Sequence, residues 1–486
     1  MEKRSKKESE TGFSVKNETS PLRRVLIHSP DRGVGKVIPS KALDWLFEDI
    51  VHLDTMRRKE YDLYVMLLLW FLDPEKIRGR THALLTEPDR SFFKPGSDHF
   101  YSSSKVLELE VLLADIVKDE NIKQRLTSSV AGIERCSYQT QEYLNKLDPI
   151  ELSRVLISGT LPDGRMLFSP LPNLIFTRDL GVVINQHLLL SKAATSVRAR
   201  ESLLTQYIFY NHPYFTQCKS VILELPENGQ TFLQSDDKFS SDLHRATLEG
   251  GDLMMVAPGH LLMGNSERTS LYAVHQTVEL LFEQHIVDKV TVLKIPKKRD
   301  YMHLDTIVTQ VKKNAWVLLR SLGRHDDRRQ QNDILHHFAA KQLEEQLEIL
   351  QFKRGATNPF RFDNLEDLLE DISRNELGCT EPVQFIYSGK GEFPYSDREQ
   401  WTDSCNVLAL RDGVVLGYDR NDRTLEAFRE AGFEVMGAEE LLRAFEEGFK
   451  KPEELNDMIV TIPSAELSRA RGGFHCMSLP LERENV

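Results

Sequence analysis

A cysteine and a histidine stand side by side near the end of the chain, in Arg471-Gly472-Gly473-Phe474-His475-Cys476-Met477. A thiol next to a cation ionises more readily and becomes a nucleophile; it can equally be a small buried apolar residue. A second histidine, His303, lies two residues from Asp305. On a strand the two side chains would share a face, and an imidazole beside a carboxylate can move protons. Leu248-Glu249-Gly250-Gly251-Asp252 sets two acids around a glycine pair, whose backbone can turn tightly or approach another group closely. Solvated acids on a plain turn would look the same. Asn173-Leu174-Ile175-Phe176-Thr177-Arg178-Asp179 ends on an Arg-Asp pair. That is either an ion pair, or a carboxylate able to take a planar cation through two parallel hydrogen bonds, with Phe176 as core or pocket wall. Ser266-Glu267-Arg268-Thr269 precedes a helical pattern. It can cap that helix, or Arg268 can hold a carboxylate bidentately.

Together these segments hold one thiol, two histidines, several carboxylates and arginines, and no metal cluster. Thiol and imidazole suit attack on an electrophilic carbon. The carboxylates suit a cationic head group and the arginines an anionic tail, and arginine itself carries both.

The elements that must position them recur. Asn406–Met436 reads as strand (VLAL), turn (Arg411-Asp412-Gly413), strand (VVLGY), helix (Arg423–Ala431), Gly432 and strand (FEVM). Asp-Gly between apolar runs is a hairpin signal. Residues 252–296 repeat the order with LMMV, LLMG, a helix over 269–285 and KVTVLKI. Residues 174–226 do so with LIFT, GVVI, LLLS, a helix over 194–210 and SVILEL. Weaker copies start at Arg24 and Thr306. Such ββαβ copies predict a pseudo-symmetric α/β array. The chemical segments fall at the starts and ends of its units.

Between the first and second units, residues 42–72 and 104–155 have helical apolar spacing, including Val106 and Leu107, and Asp148-Pro149-Ile150-Glu151 is a helix start. Residues 324–376, with apolar positions Ile334, Phe338, Leu343, Leu347 and Leu350, read as a helical insertion acting as a lid, interface or appendage. The polar segment 1–20 reads as a disordered tail. The predicted divisions are 1–20, a first unit with lead-in helix at 21–74, a helical insertion at 75–160, and the remaining units at 161–486.

Composition narrows the class. The formal charge is −12, from 62 Lys+Arg against 74 Asp+Glu, so a phosphate backbone is a poor partner. No apolar run is long enough to span a membrane. Five scattered cysteines (136, 218, 379, 405 and 476), none in CxxC spacing, argue against disulfides and zinc and fit a reducing cytoplasm. A homo-oligomer is expected.

The segments LPNLIFTRD, LEGGD, GNSERTS, MHLDT, WTDSCNVLAL…GVVLGYDRN and RARGGFHCMSLPLERE, in that order, resemble the signature motifs of the arginine deiminase family over most of Arg23–Glu484. Residues 1–20 and parts of 324–376 fall outside the resemblance. It implies the pentein fold: a five-bladed α/β-propeller of ββαβ units around a pseudo-fivefold axis, with an inserted all-helical domain and a central site. It implies hydrolysis of L-arginine to L-citrulline and ammonia through a covalent thiouronium, with neither cofactor nor metal. Cys476 would be the nucleophile, Asp179 and Asp305 would hold the guanidinium, His303 would move protons and Glu249 would orient His303. Asn173 and Arg268 would bind the substrate carboxylate, Phe176 would pack on the aliphatic stem, and Asp252 and Arg471 would line the site. The helix-start arginine is Arg198, which has the better spacing from Asp179, or Arg200. Ala470, Phe474 and Cys405 depart from the pattern. Sister guanidino or ureido enzymes, and an arginine sensor without catalysis, are the competing readings.

Overall fold

Four times among the described residues an apolar run, a tight turn and a second apolar run fold as an antiparallel hairpin. A computed structural model describes residues 12–485 apart from 43, 88–89, 217–220, 227–245 and 321–346. In chain order its strands are β1 (Leu22–Ile27), β2 (Val106–Glu108), β3 (Gly181–Ile184), β4 (His187–Leu190), β5 (Ile222–Leu223), β6 (Leu253–Ala257), β7 (His260–Asn265), β8 (Lys289–Lys294) and β9 (Val308–Lys312). There follow β10 (Ala315–Leu318), β11 (Glu348–Lys353), β12 (Phe360–Phe362), β13 (Gln384–Tyr387), β14 (Leu408–Arg411), β15 (Val414–Tyr418), β16 (Glu434–Gly437), β17 (Met458–Ile462) and β18 (Leu479–Arg483).

The hairpins are β3–β4, β6–β7, β9–β10 and β14–β15. Gly413, at φ 72°, supplies the left-handed residue that the β14–β15 turn requires. The inner strand of each hairpin then takes a parallel neighbour: β4–β5, β7–β8, β10–β13 and β15–β17. A parallel partner needs a crossover, and helices Ala199–Asn211, Leu271–Glu283 and Asp422–Glu430 lie in these connections. The fifth sheet has the same pattern with its hairpin opened: β18, from the end of the chain, pairs antiparallel with β1, which pairs parallel with β2. The molecule is thus mixed α/β, with five separate sheets among the described residues.

Several expectations are corrected. LIFT is not a strand: Pro172–Ile175 and Thr177–Leu180 are 3-10 turns ahead of β3. Val106 and Leu107 leave the helical pattern because they complete the first sheet as β2, inside the range assigned to the helical insertion. Helices do follow at Leu109–Ile116, Glu120–Ile133, Tyr138–Lys146 and Pro149–Ser158. The last starts where Asp148 caps it, accepting from the Ile150 and Glu151 N–H groups. The strand after Gly432 (β16) does not adjoin β15; β17 intervenes, and β16 pairs with β17.

Of 324–376, residues up to 346, with Ile334, Phe338 and Leu343, lie outside the described residues, as does Cys218. Beyond them Leu350 is in a strand: β11 extends the sheet from β8, with Ile349 and Gln351 buried at period two, and β12 follows. The helix Leu365–Asp371 comes only after these. Residues 1–11 are also outside the description, but 12–20 are no tail. Ser14 and Val15 bridge to Glu482 and Asn185, and Glu18 is buried. No helix is long and apolar enough to cross a membrane among the described residues.

Candidate active site

A strand that ends its ladder leaves the preceding backbone without sheet partners, and here that backbone closes into short turns. Thr177–Leu180 runs into β3, Gly250–Asp252 into β6 and Leu304–Thr306 into β9. These turns and the residues just before them, with the segments before β14 and β18, carry Asp179, Glu249, His303, Asp403 and Cys476, which line one cavity. One residue comes from the lead-in to each sheet.

The turn at 304–306 overturns the expectation that His303 and Asp305 project from one strand face. Thr306 Oγ1 donates to His303 O at 2.7 Å, and Asp252 Oδ1 accepts the Leu304 N–H at 2.9 Å. The two side chains therefore part. His303 Nε2 meets Glu249 Oε2 at 3.0 Å, while Nδ1 lies 4.0 Å from Asp179 Oδ1. Asp305 passes behind the thiol. Its Oδ2 accepts from Cys476 Sγ at 3.3 Å and from His475 Nδ1 at 2.8 Å, and its buried Oδ1 has no hydrogen-bond partner.

The glycine pair works as the sequence suggested. A Cβ on Gly250 would strike Arg178 O at 2.0 Å, and one on Gly251 would come within 2.8 Å of the His303 ring. Gly251→Ala should lower kcat by about 10- to 100-fold if the His303 ring moves protons, because displacing such a group by about 1 Å costs that much. Steady-state kinetics with a thermal melt to confirm folding check this; a wild-type kcat would remove the close approach from the mechanism.

Buried charges oppose one another in this site. Burial alone would discharge His303, but Asp179, Glu249 and Asp252 outweigh it and push its pKa up to about 10. Glu249 is held well below the usual carboxylate range despite burial, by Arg198, His303 and Arg268. Asp179 is raised by burial, which Arg198 and His303 only partly offset. The Cys476 thiol is raised well above its ordinary value by burial and by Asp305, Asp179 and Asp403. These surroundings favour the neutral thiol of Cys476 and the charged imidazole of His303.

Asn173, Phe176, Arg198, Arg268 and Arg471 line the same cavity. Arg198 rather than Arg200 is there. Its Nη1 bridges Asp179 Oδ2 at 3.0 Å and Glu249 Oε2 at 3.1 Å, while Arg200 turns away to Glu134 and Ser169. Asp179, Glu249 and His303 are grouped closely enough to hold a metal ion, but the Arg198 guanidinium already spans the two acids. Arg268 Nε is buried without a hydrogen-bond partner. Arg471 has φ 59°, lies 3.7 Å over the Trp401 ring centroid, and has buried Nε and Nη1 without partners. Asp252 is corrected: it does not line the cavity but clamps the turn, accepting from Ser266 Oγ at 2.6 Å and from Leu304. Asp305 lies beneath the thiol rather than in the cavity wall.

Asp403, Asn406 and Glu18 were given no role by the sequence, and Arg178, read there as half of an Arg-Asp pair, pairs instead with Glu18. Burial raises Asp403 to about 7 against the pull of Arg471, and its Oδ2 accepts the Gly472 N–H at 2.9 Å. Arg178 Nη2 reaches His475 Nε2 at 3.0 Å and Glu18 Oε1 at 2.6 Å, so the N-terminal segment is wired through His475 to Asp305. The usable signal for Asp403 and Asn406 was position: each lies just before a first strand, inside a motif already singled out.

The fold and this cavity define a class: mixed α/β proteins that gather a buried thiol, a carboxylate-held histidine and further acids and arginines from successive sheets. The chain belongs to the arginine deiminase family, whose model, described as arginine deiminase, matches residues 105–483. It is similar to the arginine deiminase of Borreliella afzelii, 26% identical over 483 residues and 98% of each chain. It is similar also to that of Listeria monocytogenes, 27% identical over 502 residues, covering 98% of this chain and 99% of that one. Among solved structures, SxtG, an amidinotransferase from Microseira wollei, matches with a TM-score of 0.46 and 14% identity over 98% of both chains.

Proposed function

We propose that the protein hydrolyses L-arginine to L-citrulline and ammonia through a thiouronium on Cys476. The observation that carries this reading is a thiol that shares a cavity wall with a buried acid and has another directly behind it: Asp179 lines the cavity with Cys476 and its Oδ1 has no hydrogen-bond partner, while Asp305 Oδ2 accepts from the sulfur. Buried acids grouped in this way favour a cation beside them, and a guanidinium suits that place. Its charge would offset the acids that hold the thiol protonated, so substrate entry favours the thiolate.

Sulfur attacks the guanidinium carbon as the thiol proton leaves towards Asp305. His303, whose Nε2 is committed to Glu249, presents Nδ1 to the cavity and gives its proton to the departing ammonia. Water then attacks the thiouronium carbon and His303 takes one of its protons. The carbon–sulfur bond breaks with its electron pair returning to sulfur, the remaining hydroxyl proton passes to that sulfur as the carbonyl forms, Asp305 gives up its proton to solvent, and citrulline leaves. Arg268 and Asn173 face the carboxylate end, and Phe176 the aliphatic stem.

The five sheets form, in this reading, a five-bladed pseudo-symmetric propeller around the cavity. Supporting it are contacts that run from sheet to sheet and return: β18 with β3, β3 with β6, β6 with the turn before β9, β9 with β14, and β14 with β1. The helices from 109 to 158 are the inserted helical domain. A cytoplasmic location accords with the free thiols at Cys136, Cys379, Cys405 and Cys476.

The test is a product assay with L-arginine, agmatine, dimethylarginine and L-citrulline, following ammonia and ureido products. Citrulline and ammonia from arginine alone are expected. Silence on arginine with turnover of another compound would move the protein to a sister activity. Arg268→Ala should cost arginine about 10- to 100-fold in kcat/KM, the value of a charge-assisted pair, and agmatine, which lacks the carboxylate, far less. Equal losses would reject the assigned role.

A further inference from the structure

Asn406 is 1% exposed, in the segment that leads into β14. Its carboxamide touches the thiol residue twice: Oδ1 accepts the Cys476 N–H at 3.0 Å, and Nδ2 lies 3.1 Å from Cys476 Sγ. Nδ2 also reaches Asp305 O at 3.2 Å. The neighbours dictate which end is which. A backbone N–H can only donate and a backbone carbonyl can only accept, so the oxygen must face Cys476 N and the NH₂ must face Asp305 O and the sulfur. The chain before the cysteine is shaped to allow this: a Cβ on Gly473 would stand 2.3 Å from Asn406 O and 2.8 Å from Oδ1.

The charged groups that act most strongly on the sulfur are acids. Asp305 accepts from it, and Asp179 and Asp403 raise its pKa electrostatically. None of these stabilises a thiolate, whereas an amide N–H does. A neutral thiol is a weak acceptor, and the bond strengthens as negative charge develops on sulfur. An interaction of that kind lowers the barrier rather than merely tightening ground-state binding.

We propose that Asn406 is a catalytic residue that donates a hydrogen bond to the Cys476 thiolate and aims the sulfur at the guanidinium carbon. The role rests on Cys476 being the nucleophile, as argued above.

The test uses the full chain carrying Asn406→Ala and, separately, the isosteric Asn406→Asp, which keeps the acceptor for Cys476 N–H but replaces the donor. Both are compared with Cys476→Ala. Asn406→Ala should lower kcat by about 10²- to 10³-fold, the loss typical of one preorganised donor, with KM changed only several-fold. Its Cys476 alkylation by iodoacetamide should shift to higher pH. Asn406→Asp should lose at least as much activity. Arginine binding by either variant in the Cys476→Ala background reports an intact cavity. If Cys476→Ala is inactive but both Asn406 variants keep kcat within twofold and the wild-type alkylation profile, the proposal is overturned. A Cys476→Ala protein that still turns over would instead overturn the nucleophile assignment, and with it this role.

Discussion

Cys476→Ala should abolish citrulline formation while leaving arginine bound. Cys476 is the cysteine that lines the cavity among the described residues. Cys405 is fully buried outside the cavity wall, its thiol pushed up to about 12, and cannot substitute. Removing the nucleophile of a covalent mechanism typically costs about 10⁶-fold in kcat, because the remaining groups bind and polarise the substrate but cannot form the intermediate. Binding should survive. Asp179, Arg268 and Asn173 are untouched, and the lost atom is a thiol that three buried acids already disfavour as a charge. Calorimetric titration of Cys476→Ala with arginine should give a Kd within about tenfold of the wild-type value, a difference of about 1.4 kcal/mol. Continued citrulline release would remove Cys476 from the mechanism, and loss of binding together with turnover would point to a structural role.

His303→Asn should lower kcat by about 10²- to 10⁴-fold, the usual contribution of a positioned acid-base group. In the proposed reaction the imidazole has to be charged to protonate the leaving ammonia, and its surroundings favour that form. Its pKa is pushed up to about 10 in the fold against about 6.5 unfolded. A group raised in this way adds stability that is fully present below its unfolded value and is lost as pH rises through its folded value. Wild-type melting temperature should therefore fall between pH 7 and 10 by more than that of His303→Asn, which lacks the titration. Parallel melting curves across that range would mean that His303 is not held as a cation, and a kcat within a few-fold of wild type would end its role as proton donor.

Local pattern made much of this legible. Apolar alternation around Asp412-Gly413 and Pro258-Gly259 is enough to form hairpins, since both partners lie within a few residues. The Asp148-Pro149 helix start needed only its own next two N–H groups. Each residue lining the cavity in the region before β6, β9 or β18 sat in a motif whose residue types already suggested chemistry. Long-range partners were not legible. His303 and Asp305 look like strand neighbours by spacing, yet Asp252, about fifty positions earlier, holds the intervening N–H and folds the segment into a turn. Residues 348–353 look helical by apolar spacing, yet the edge of β8 offers them a ladder. Glu18 looks like part of a polar tail because its partner, Arg178, is 160 positions away.

The sequence alone determined the inventory of this protein: a thiol, a histidine, carboxylates and arginines at the ends of recurring apolar units, because strand, turn and cap preferences act over a few residues. Only the tertiary structure decided how they meet. It joined β18 to β1 across the whole chain, put Arg198 rather than Arg200 between the acids, moved Asp252 out of the cavity wall, and brought Asn406 and the His475–Arg178–Glu18 chain up to Cys476 and Asp305. Those choices depend on burial and on the pairing of charges far apart in sequence, and such groups find their partners only when the sheets close around them.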